Sequence, residues 1–367
     1  MTHPQIIDRE WVLKKAEHAL RAESRFITGH IAPWSEGTPH DFYSNADYWW
    51  PNPDTPDGMP YVCRDGETNP GNFDLHRQAL RACRTRMAHL AAAYKLTGDE
   101  KYARAAAALL EGFFLNEKTK MNPRLPYAQA VPGRDAGNAF GVIDTLHIAE
   151  VPYAVRALEG SPYMTAALVS GLKQWFGEYL RWLKTHPHGT AEMNWGNNHT
   201  ICWHVQAASF ARFIGDEETL AFCRDAYQNV ILAKQMAPGG GFPRELRRTK
   251  PYGYSIFALD NLVILCHMLS SRGESLWEFS LPDGRGVRKG LEFLYPYLVD
   301  KSTWPYAKDV QHFDAWPAAM AGFLFAGIYL GEEKYIKLWQ SLDPDPEDPE
   351  VRRNMTVRQP LLWLQDW

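Results

Sequence analysis

Apolar positions three and four residues apart repeat along much of the chain, which is the pattern of helices with one buried face. Strand-like alternation is scarce, and Gly, Pro, Asn and Asp concentrate between the apolar blocks. The sequence therefore predicts a mainly helical protein. The predicted helical blocks are residues 74–96, 101–115, 141–158, 164–184, 199–214, 217–235, 255–271, 286–299, 316–330 and 333–341.

A short acidic motif recurs where one block ends and another begins. GlyAspGluLysTyr begins at Gly98, GlyAspGluGlu at Gly215 and GlyGluGluLysTyr at Gly331. Each glycine suits the left-handed position after a helix, and the acidic residues suit the first turn of the next helix. The recurrence favours a repeated helical hairpin, although three junctions with common capping chemistry would look the same. Either interpretation gives a mainly α fold.

No stretch has the composition and position of a linker between domains, because the Pro- and Asp-rich segment 342–350 lies close to the end. We therefore predict a single domain over residues 1–367. Helical hairpins without strands fit an all-α helical bundle or an (α/α) toroid. The long irregular segment 31–72 favours the toroid, an incomplete barrel of about five to seven hairpins, because such loops line clefts.

Composition narrows the class of protein. The 367 residues are 45% hydrophobic and 22% charged, as in an ordinary globular protein. A net charge of -4 argues against a nucleic-acid partner, and an anionic ligand would need a local basic patch. The high aromatic content, 14 Trp, 17 Tyr and 17 Phe, makes surfaces for stacking on sugars a candidate feature.

Cysteine usage and hydropathy exclude further classes. The five cysteines are widely spaced without a CxxC pair, so neither a disulfide framework nor a zinc site is expected. No stretch reaches the roughly 18 uninterrupted apolar residues of a membrane span, so no membrane partner is expected. Charged residues within positions 1–20 are unlike a signal peptide. We expect a cytoplasmic protein, or a periplasmic or secreted one if an export signal was removed. The oligomeric state stays open.

The first candidate for chemistry is TrpGlyAsnAsnHisThr at 195–200, which leads into a helical block. This position places Asn198 and His199 at a helix start, where unpaired backbone N–H groups favour a carboxylate. Trp195 precedes them. The alternative is that an asparagine is simply the N-cap and His199 a satisfied partner.

The second candidate is the segment 241–255, where four cations precede Tyr252 and Tyr254. A cation beside a tyrosine stabilises its phenolate, so we expect the tyrosine pKa to fall from about 10 and the residue to serve as a base. A solvated basic turn with two packing tyrosines is the alternative. The cations are Arg244, Arg247, Arg248 and Lys250.

Two further segments offer contacts to a sugar. The aromatic, Pro-rich segment 47–66 resembles a wall for stacking, although its aromatics could instead pack the loop down. The segment 126–138 precedes a helix and is less specific. Together they supply the predicted binding residues Tyr48, Trp49, Trp50, Arg64, Gln129 and Arg134, to which Trp195 and Tyr252 are added.

Metal and nucleotide chemistry have little basis in the sequence. His186 and His188 are two residues apart and His199 and His204 five, but no acidic or Cys partner completes either pair at a recognisable spacing. No GxSxG, P-loop or Rossmann fingerprint occurs. We therefore expect no metal or organic cofactor.

Taken together and in this order, the segments resemble the alginate-lyase-like superfamily of polysaccharide lyases, which has an α/α toroid. The resemblance covers roughly residues 40–363. It rests on TyrTrpTrpProAsnPro at 48–53, TyrValCysArgAspGly at 61–66, AlaGlnAlaValProGlyArg at 128–134, AsnAsnHis at 197–199, the block from PheProArgGluLeuArgArgThrLys at 242–250 to PheAlaLeuAsp at 257–260, and ArgGlnProLeuLeuTrp at 358–363.

The resemblance implies β-elimination on a β-1,4-linked uronic-acid polymer such as glucuronan or polymannuronate. Its roles map onto Asn198 and Arg248, which neutralise the substrate carboxylate, and onto His199 and Tyr254, which move protons. Arg247 competes with Arg248, and Tyr252 with Tyr254. TrpHis at 203–204 stands where many relatives are expected to have TyrAsp, which leaves the substrate open.

The chemistry of these residues agrees with the implied roles. Removing the C5 proton of a uronate places charge beside its carboxylate, which donors such as Asn198, His199 and Arg248 would stabilise. Tyr254 suits syn elimination from mannuronate or glucuronate, and His199 is the natural base for anti elimination from guluronate. The competing functions are a glycoside hydrolase using two acids among Asp144, Glu192 and Glu245, or a non-catalytic binder of acidic glycans.

Overall fold

The computed structural model describes residues 6–271 and 273–364, and helices dominate it. The predicted domain also includes residues 1–5, 272 and 365–367, which lie outside the described part. The α-helices are α1 (Arg9–Arg21), α2 (Leu75–Thr97), α3 (Glu100–Leu110), α4 (Val151–Ala157), α5 (Ala166–Thr185), α6 (Pro187–Met193), α7 (Asn198–Ile214), α8 (Glu217–Ala226), α9 (Pro243–Leu246), α10 (Pro251–Leu269), α11 (Val287–Val299), α12 (Ala321–Tyr329), α13 (Glu333–Ser341), α14 (Pro349–Arg353) and α15 (Pro360–Trp363).

Other helical turns extend or connect these elements. Glu111–Leu115 and Tyr227–Gln235 continue α3 and α8 as π-helix. The 3₁₀ segments are Ile27–Gly29, Ala139–Glu150, Lys301–Thr303 and Phe313–Ala315.

The inner layer consists of helices that are apolar on nearly every side. Along the chain, α2, the segment 139–157, α7, α10 and α12 pack against one another in succession. Every residue of α10 except Tyr254 is buried. By length and composition alone α10 could cross a membrane, but 94% of its most apolar window is buried inside the protein. It is therefore a core helix, as an all-round apolar pattern in a globular fold predicts.

The outer layer consists of amphipathic helices that bury one face. Among them, α1 and α3 pack on α2, α5 and α8 on α7, α11 on α10, and α13 on α12. A polar outer face against an inner ring of apolar helices is the expected division of a two-layer helical fold. The protein is thus all-α with the (α/α) toroid architecture that the sequence predicts.

The recurring glycines end helices as predicted. Gly98 and Gly215 are the left-handed C-caps of α2 and α7, with φ of 68° and 82°. Gly331 follows α12 with φ of 69°. At each junction an acidic residue precedes or begins the next helix, which fits the partial positive charge of a helix N-terminus.

Several boundaries differ from the prediction. Proline explains two of them: Pro251 occupies the first position of α10, four residues before the predicted start, and the α-helix 321–329 begins only after Pro317. Residues 139–150 are 3₁₀, and the α-helix begins at Val151, with Pro152 in its first turn, where a missing N–H leaves no hydrogen bond unmade. Helix α1 was not predicted, since its buried stripe has mainly small residues.

The C-terminal segment is fastened to the inner layer by one buried carboxylate. Glu150 accepts hydrogen bonds from the backbone N–H groups of Arg358 and Gln359 and from Nε1 of Trp363. It also pairs with Arg84 of α2 at 3.1 Å. The acid therefore ties the end of the described chain to two inner segments.

The irregular segment 31–72 contains three short strands. β1 (Tyr43–Asn45) pairs in parallel with β4 (Tyr127–Ala130), whereas β2 (Trp49–Trp50) and β3 (Val62–Cys63) form an antiparallel pair. Because β1 also contacts α2, the segment lies against the inner layer. One wall of a cavity is built here.

Candidate active site

A cavity of about 420 Å³ opens at one end of the inner helices. It is lined by residues from the segment 46–65, from α2, from residues 129–147 and 195–199, from the start of α10 and from residues 350–354. All four predicted catalytic residues line it, as do four of the predicted binding residues. These are Asn198, His199, Arg248 and Tyr254, with Tyr48, Trp49, Gln129 and Trp195.

His199 is held by a buried acid at the start of α7. Asn197 is the N-cap and accepts a hydrogen bond from the backbone N–H of His199 at 3.1 Å. Nδ1 of His199 lies 2.7 Å from Oε1 of Glu192, whose side chain is fully buried. Burial raises the pKa of Glu192; for His199 burial acts in the opposite direction, but the Glu192 carboxylate outweighs it and raises the imidazole pKa. The pair thus favours a protonated His199.

Asn198 is held by a second buried acid. Glu245 in α9 accepts the backbone N–H of Asn198 on one oxygen and its side-chain Nδ2 on the other, both at 2.8 Å. Burial raises the pKa of Glu245, although the bonds from Asn198 act against this. A side-chain amide has two N–H groups, so one donor of Asn198 remains for a ligand.

Tyr254 lies in the first turn of α10 beside a second tyrosine and two cations. Its hydroxyl is 2.6 Å from the hydroxyl of Tyr48 and accepts a hydrogen bond from Nη2 of Arg248 at 3.3 Å. The guanidinium of Arg248 is 4.5 Å from the Tyr254 ring centre, and Nζ of Lys250 is 5.8 Å from it.

The expected fall in the Tyr254 pKa is wrong. Burial raises the pKa of Tyr254 well above its ordinary value. Arg248 and Lys250 lower it without offsetting the effect of burial. Desolvation disfavours the phenolate more than two nearby cations stabilise it. Tyr254 is therefore a neutral phenol in the unliganded protein near neutral pH.

Asp65, which lies between Trp50 and α2 in the chain, orients Arg248. Its Nη2 donates to Oδ1 of Asp65 at 2.7 Å and its Nε to Oδ2 at 3.3 Å, while the Thr249 hydroxyl also donates to Asp65. Arg247 does not line the cavity and instead lies with Arg244 on an adjoining groove. Of the two arginines that the sequence left as alternatives, only Arg248 therefore lines the cavity.

The aromatic wall carries cations on its faces. The guanidinium of Arg134 is 5.1 Å from the ring centre of Trp49, and that of Arg64 is 4.9 Å from Trp50. Trp49 lines the cavity, whereas Trp50, Arg64 and Arg134 lie outside its lining. On the other side Trp195 is 43% exposed. Two indole rings are therefore available to a sugar chain.

The expectation that Tyr252 contacts substrate does not fit its position. Tyr252 is completely buried, its hydroxyl donates to the carbonyl oxygen of Tyr297 at 2.9 Å, and its ring packs against Trp304 and Phe313. Two residues apart in the first turn of a helix, Tyr252 and Tyr254 face different directions. Only the latter reaches the cavity.

Gln129 is fixed at the cavity by its backbone and its side chain. Its φ of 48° is uncommon for a residue with a Cβ, and such conformations concentrate at functional sites. Its Nε2 donates to Oδ1 of Asp144 at 2.9 Å, and the Ser44 hydroxyl donates to the other oxygen at 2.6 Å.

The acids that a hydrolase would need are all engaged elsewhere. Glu192 binds His199, Glu245 binds Asn198, and Asp144 binds Arg77 at 2.8 Å together with Gln129. Each acid orients another side chain of the cavity. The sequence contained these residues but not their partners, because the partners meet only in the folded chain.

Neither histidine pair belongs to a metal-binding cluster. Among the described residues, no three His, Cys, Asp or Glu side chains converge in a way that could hold a metal ion. Nδ1 of His204 lies 2.8 Å from the carbonyl oxygen of Thr200, and Trp203 and His204 are buried against Phe222. The TrpHis pair is thus part of the core and contributes nothing to the cavity lining.

Comparisons with known proteins agree on one family. The alginate lyase family model matches residues 32–304. An alginate lyase from Bacteroides ovatus is 30% identical over 97% of this chain and 93% of that chain, with a TM-score of 0.84. Alginate lyase A1-III from Sphingomonas species A1 is 14% identical over 97% of this chain and 95% of that chain, with a TM-score of 0.57. A histidine-to-alanine variant of A1-III, complexed with tetrasaccharide, is 14% identical over 97% of this chain and 94% of that chain, with a TM-score of 0.59. No curated protein matches the chain.

Proposed function

This chain belongs to the alginate lyase family and is a polysaccharide lyase, and on that premise we propose that it cleaves polymannuronate by β-elimination. The products would carry a C4–C5 double bond at the new non-reducing end. The observation that carries this proposal is the meeting of His199, Asn198, Arg248 and Tyr254 in one cavity. They come from two segments of the chain about fifty residues apart.

The substrate carboxylate needs neutralising donors before the C5 proton can leave. Arg248, the free N–H of Asn198 and a protonated His199 provide two charges and an amide in the same cavity. Such donors act on the charge that develops in the enolate-like transition state. Because Asp65, Glu245 and Glu192 already hold these groups in place, little reorganisation is needed during the reaction.

Tyr254 is the proton-transfer residue in this proposal. Its raised pKa makes the phenolate a minor species, so the rate should rise with pH as the population of base increases. Once Tyr254 has accepted the C5 proton, it is again a phenol and can give a proton to the departing O4. In mannuronate the C5 proton and O4 lie on the same side of the ring, so one residue can serve both steps.

The state of His199 favours syn over anti elimination. Anti elimination from guluronate requires a neutral imidazole as base, but Glu192 raises the pKa of His199 and keeps its proton on over more of the neutral range. Mannuronate is therefore preferred over guluronate. Glucuronate shares the syn arrangement, which makes glucuronan the second candidate substrate.

The test offers purified protein polymannuronate, polyguluronate and glucuronan in parallel and follows the ultraviolet absorbance of the conjugated double bond. Mass spectra of the products distinguish elimination from hydrolysis, since hydrolysis adds water. We expect the fastest rise on polymannuronate. A rise on glucuronan alone would name the second candidate, a rise on polyguluronate alone would overturn the syn assignment, and no rise on any of the three would overturn the proposal.

A further inference from the structure

The first turn of α10, which carries Tyr254, has two backbone N–H groups without an acceptor in the helix. Pro251, at its first position, has no N–H, and the side chain of the N-cap residue Lys250 accepts no hydrogen bond. Because the first N–H groups of a helix have no intrahelical partner, those of Tyr252 and Gly253 need acceptors from elsewhere in the chain.

Asp309 supplies both acceptors. Its Oδ1 accepts the N–H of Tyr252 at 2.8 Å, and its Oδ2 accepts the N–H of Gly253 at 2.9 Å. Asp309 is only 7% exposed. The next residue, Val310, donates its N–H to the carbonyl oxygen of Thr249 at 3.0 Å, just before the helix. An acid from another segment thus caps α10, where the helix dipole also favours a negative charge.

Gly253 leaves room for this acid. A Cβ at position 253 would lie 3.0 Å from Oδ2 of Asp309 and 2.8 Å from Nε1 of Trp316. Any larger residue would therefore push the carboxylate away from the two N–H groups. Glycine is a poor helix former, and the close approach of Asp309 explains its place in this turn.

The segment 304–313, which we call the capping loop, also contacts two other walls of the cavity. Oε1 of Gln311 accepts the backbone N–H of Thr68 at 3.1 Å, just after the aromatic wall in the chain. Nδ1 of His312 lies 2.8 Å from Oδ2 of Asp348, the N-cap of α14. The capping loop therefore joins the start of α10 to the aromatic wall and to α14.

The capping loop itself does not reach the cavity. Residues 304–313, all within the described part of the chain, lie outside the cavity lining. They can therefore affect the reaction only through the residues that they hold. Tyr254 is the most sensitive of these, since proton transfer depends on where its hydroxyl lies and a displacement of about 1 Å can cost roughly a hundredfold in rate.

We propose that Asp309 is a positioning residue for the elimination. By capping the first turn of α10, it fixes the hydroxyl of Tyr254 beside Arg248 and against the sugar. Loss of the cap leaves two N–H groups unpaired and lets this turn fray. The inference rests on the proposed function, which makes Tyr254 the proton-transfer residue.

The kinetic test compares Asp309→Asn and Asp309→Ala with the wild type on polymannuronate. We expect kcat to fall about tenfold in Asp309→Asn, whose amide keeps one acceptor, and about a hundredfold in Asp309→Ala, which keeps none. KM should stay within about threefold, because Asn198 and His199 are held by other acids. An unchanged kcat, or a rise in KM alone, would overturn the proposal.

Asp260→Asn is the matched control, because Asp260 is also a buried acid that binds the first turn of a helix. Asp260 is 1% exposed, and its Oδ1 accepts the N–H of Gly322 in α12 at 2.7 Å, away from the cavity lining. Whatever its effect on the melting temperature, Asp260→Asn should keep the kcat of the wild type. An equal loss of kcat in Asp260→Asn and Asp309→Asn would assign both losses to stability and overturn the role of Asp309.

Hydrogen exchange measured by mass spectrometry tests the cap without turnover. Amides at the start of α10 should exchange faster in Asp309→Asn than in the wild type or in Asp260→Asn, and equal exchange in all three would overturn the cap. A wild type that eliminates no faster than Asp309→Asn overturns the role of Asp309 alone. A wild type that eliminates none of the polymers offered overturns the proposed function instead.

Discussion

On one side of the cavity, His199 and Asn198 are each held by a fully buried carboxylate, whereas on the other side Tyr254 lies beside Arg248 and a second tyrosine. Both His199 and Tyr254 have raised pKa values, but for different reasons. Glu192 raises the pKa of His199 against burial, and burial raises the pKa of Tyr254 against the cations.

The pKa of each residue is therefore set by the balance between the charge of its neighbours and its burial. Neighbouring charge decides the outcome for the imidazole, and desolvation decides it for the phenol. The result on both sides is a group that retains its proton near neutral pH. The unliganded site is therefore ready to donate protons and to neutralise a carboxylate, and its base form has to be generated.

The largest expected effect comes from removing the phenol. Tyr254→Phe should lower kcat by about a thousandfold, since one residue serves as base and acid, while oligomannuronate binding stays within a few-fold. Ultraviolet assays and calorimetry measure the two effects. Loss of binding with residual catalysis unchanged would remove Tyr254 from proton transfer.

Tyr252→Phe is the matched control for that variant. It removes a hydroxyl two residues away whose hydrogen bond runs to Tyr297 in the core. The expected result is near wild-type turnover and a loss of about 1 kcal/mol in the free energy of unfolding. Strong loss of turnover here would reverse the assignment of the two tyrosines.

On the opposite side, Glu192→Gln should lower kcat on polymannuronate by roughly ten- to a hundredfold, as removal of an orienting partner does elsewhere. The pKa of His199 should fall, because the charge that raises it is gone. NMR titration of the imidazole measures that shift. An unchanged His199 pKa in this variant would show that a group other than Glu192 raises it.

Glu245→Gln should have a smaller effect, about tenfold in kcat/KM. The amide keeps one acceptor for Asn198 and replaces the other with a donor, so one of the two bonds that hold Asn198 is lost. Steady-state kinetics measure the change, and thermal unfolding checks that the fold is intact. Unchanged kinetics would show that Asn198 needs no help from Glu245.

The smallest change in rate should follow Tyr48→Phe, which alters the pH profile most. The Tyr48 hydroxyl lies 2.6 Å from that of Tyr254 and keeps its own proton, because burial raises the pKa of Tyr48, so it can donate to the Tyr254 phenolate. We expect its removal to move the alkaline rise of kcat to higher pH, with a few-fold change in rate at any one pH. A shift toward neutral pH would contradict this account of Tyr254.

The fold was largely predictable because its signals are local. The glycines at 98, 215 and 331 mark helix ends through their own φ preference, and apolar spacing within one helix identifies α2, α7 and α10. Short helices such as α6 and α9 were missed, since their few residues carry little periodicity. That the chain forms one domain stays a prediction, supported by a contiguous core from Ile6 to Leu364.

The site was predictable in part of its membership and not in its electrostatics. The motifs around Asn198 and Tyr254 identified the four candidate catalytic residues, which all line the cavity, whereas four predicted binding residues lie outside its lining. The sign of the Tyr254 pKa shift depends on burial in the folded chain, where its hydroxyl meets that of Tyr48, 206 positions away. Glu245 is likewise 47 positions from Asn198, so no local pattern could pair them.

The bonds from Glu150 to the segment 358–363 have a consequence for synthesis in the cell. During translation Glu150 and Arg84 emerge long before their partners, and until the segment 358–363 leaves the ribosome both charges have to remain hydrated. The inner ring can therefore reach its native packing only after the segment 358–363 has emerged and bound Glu150.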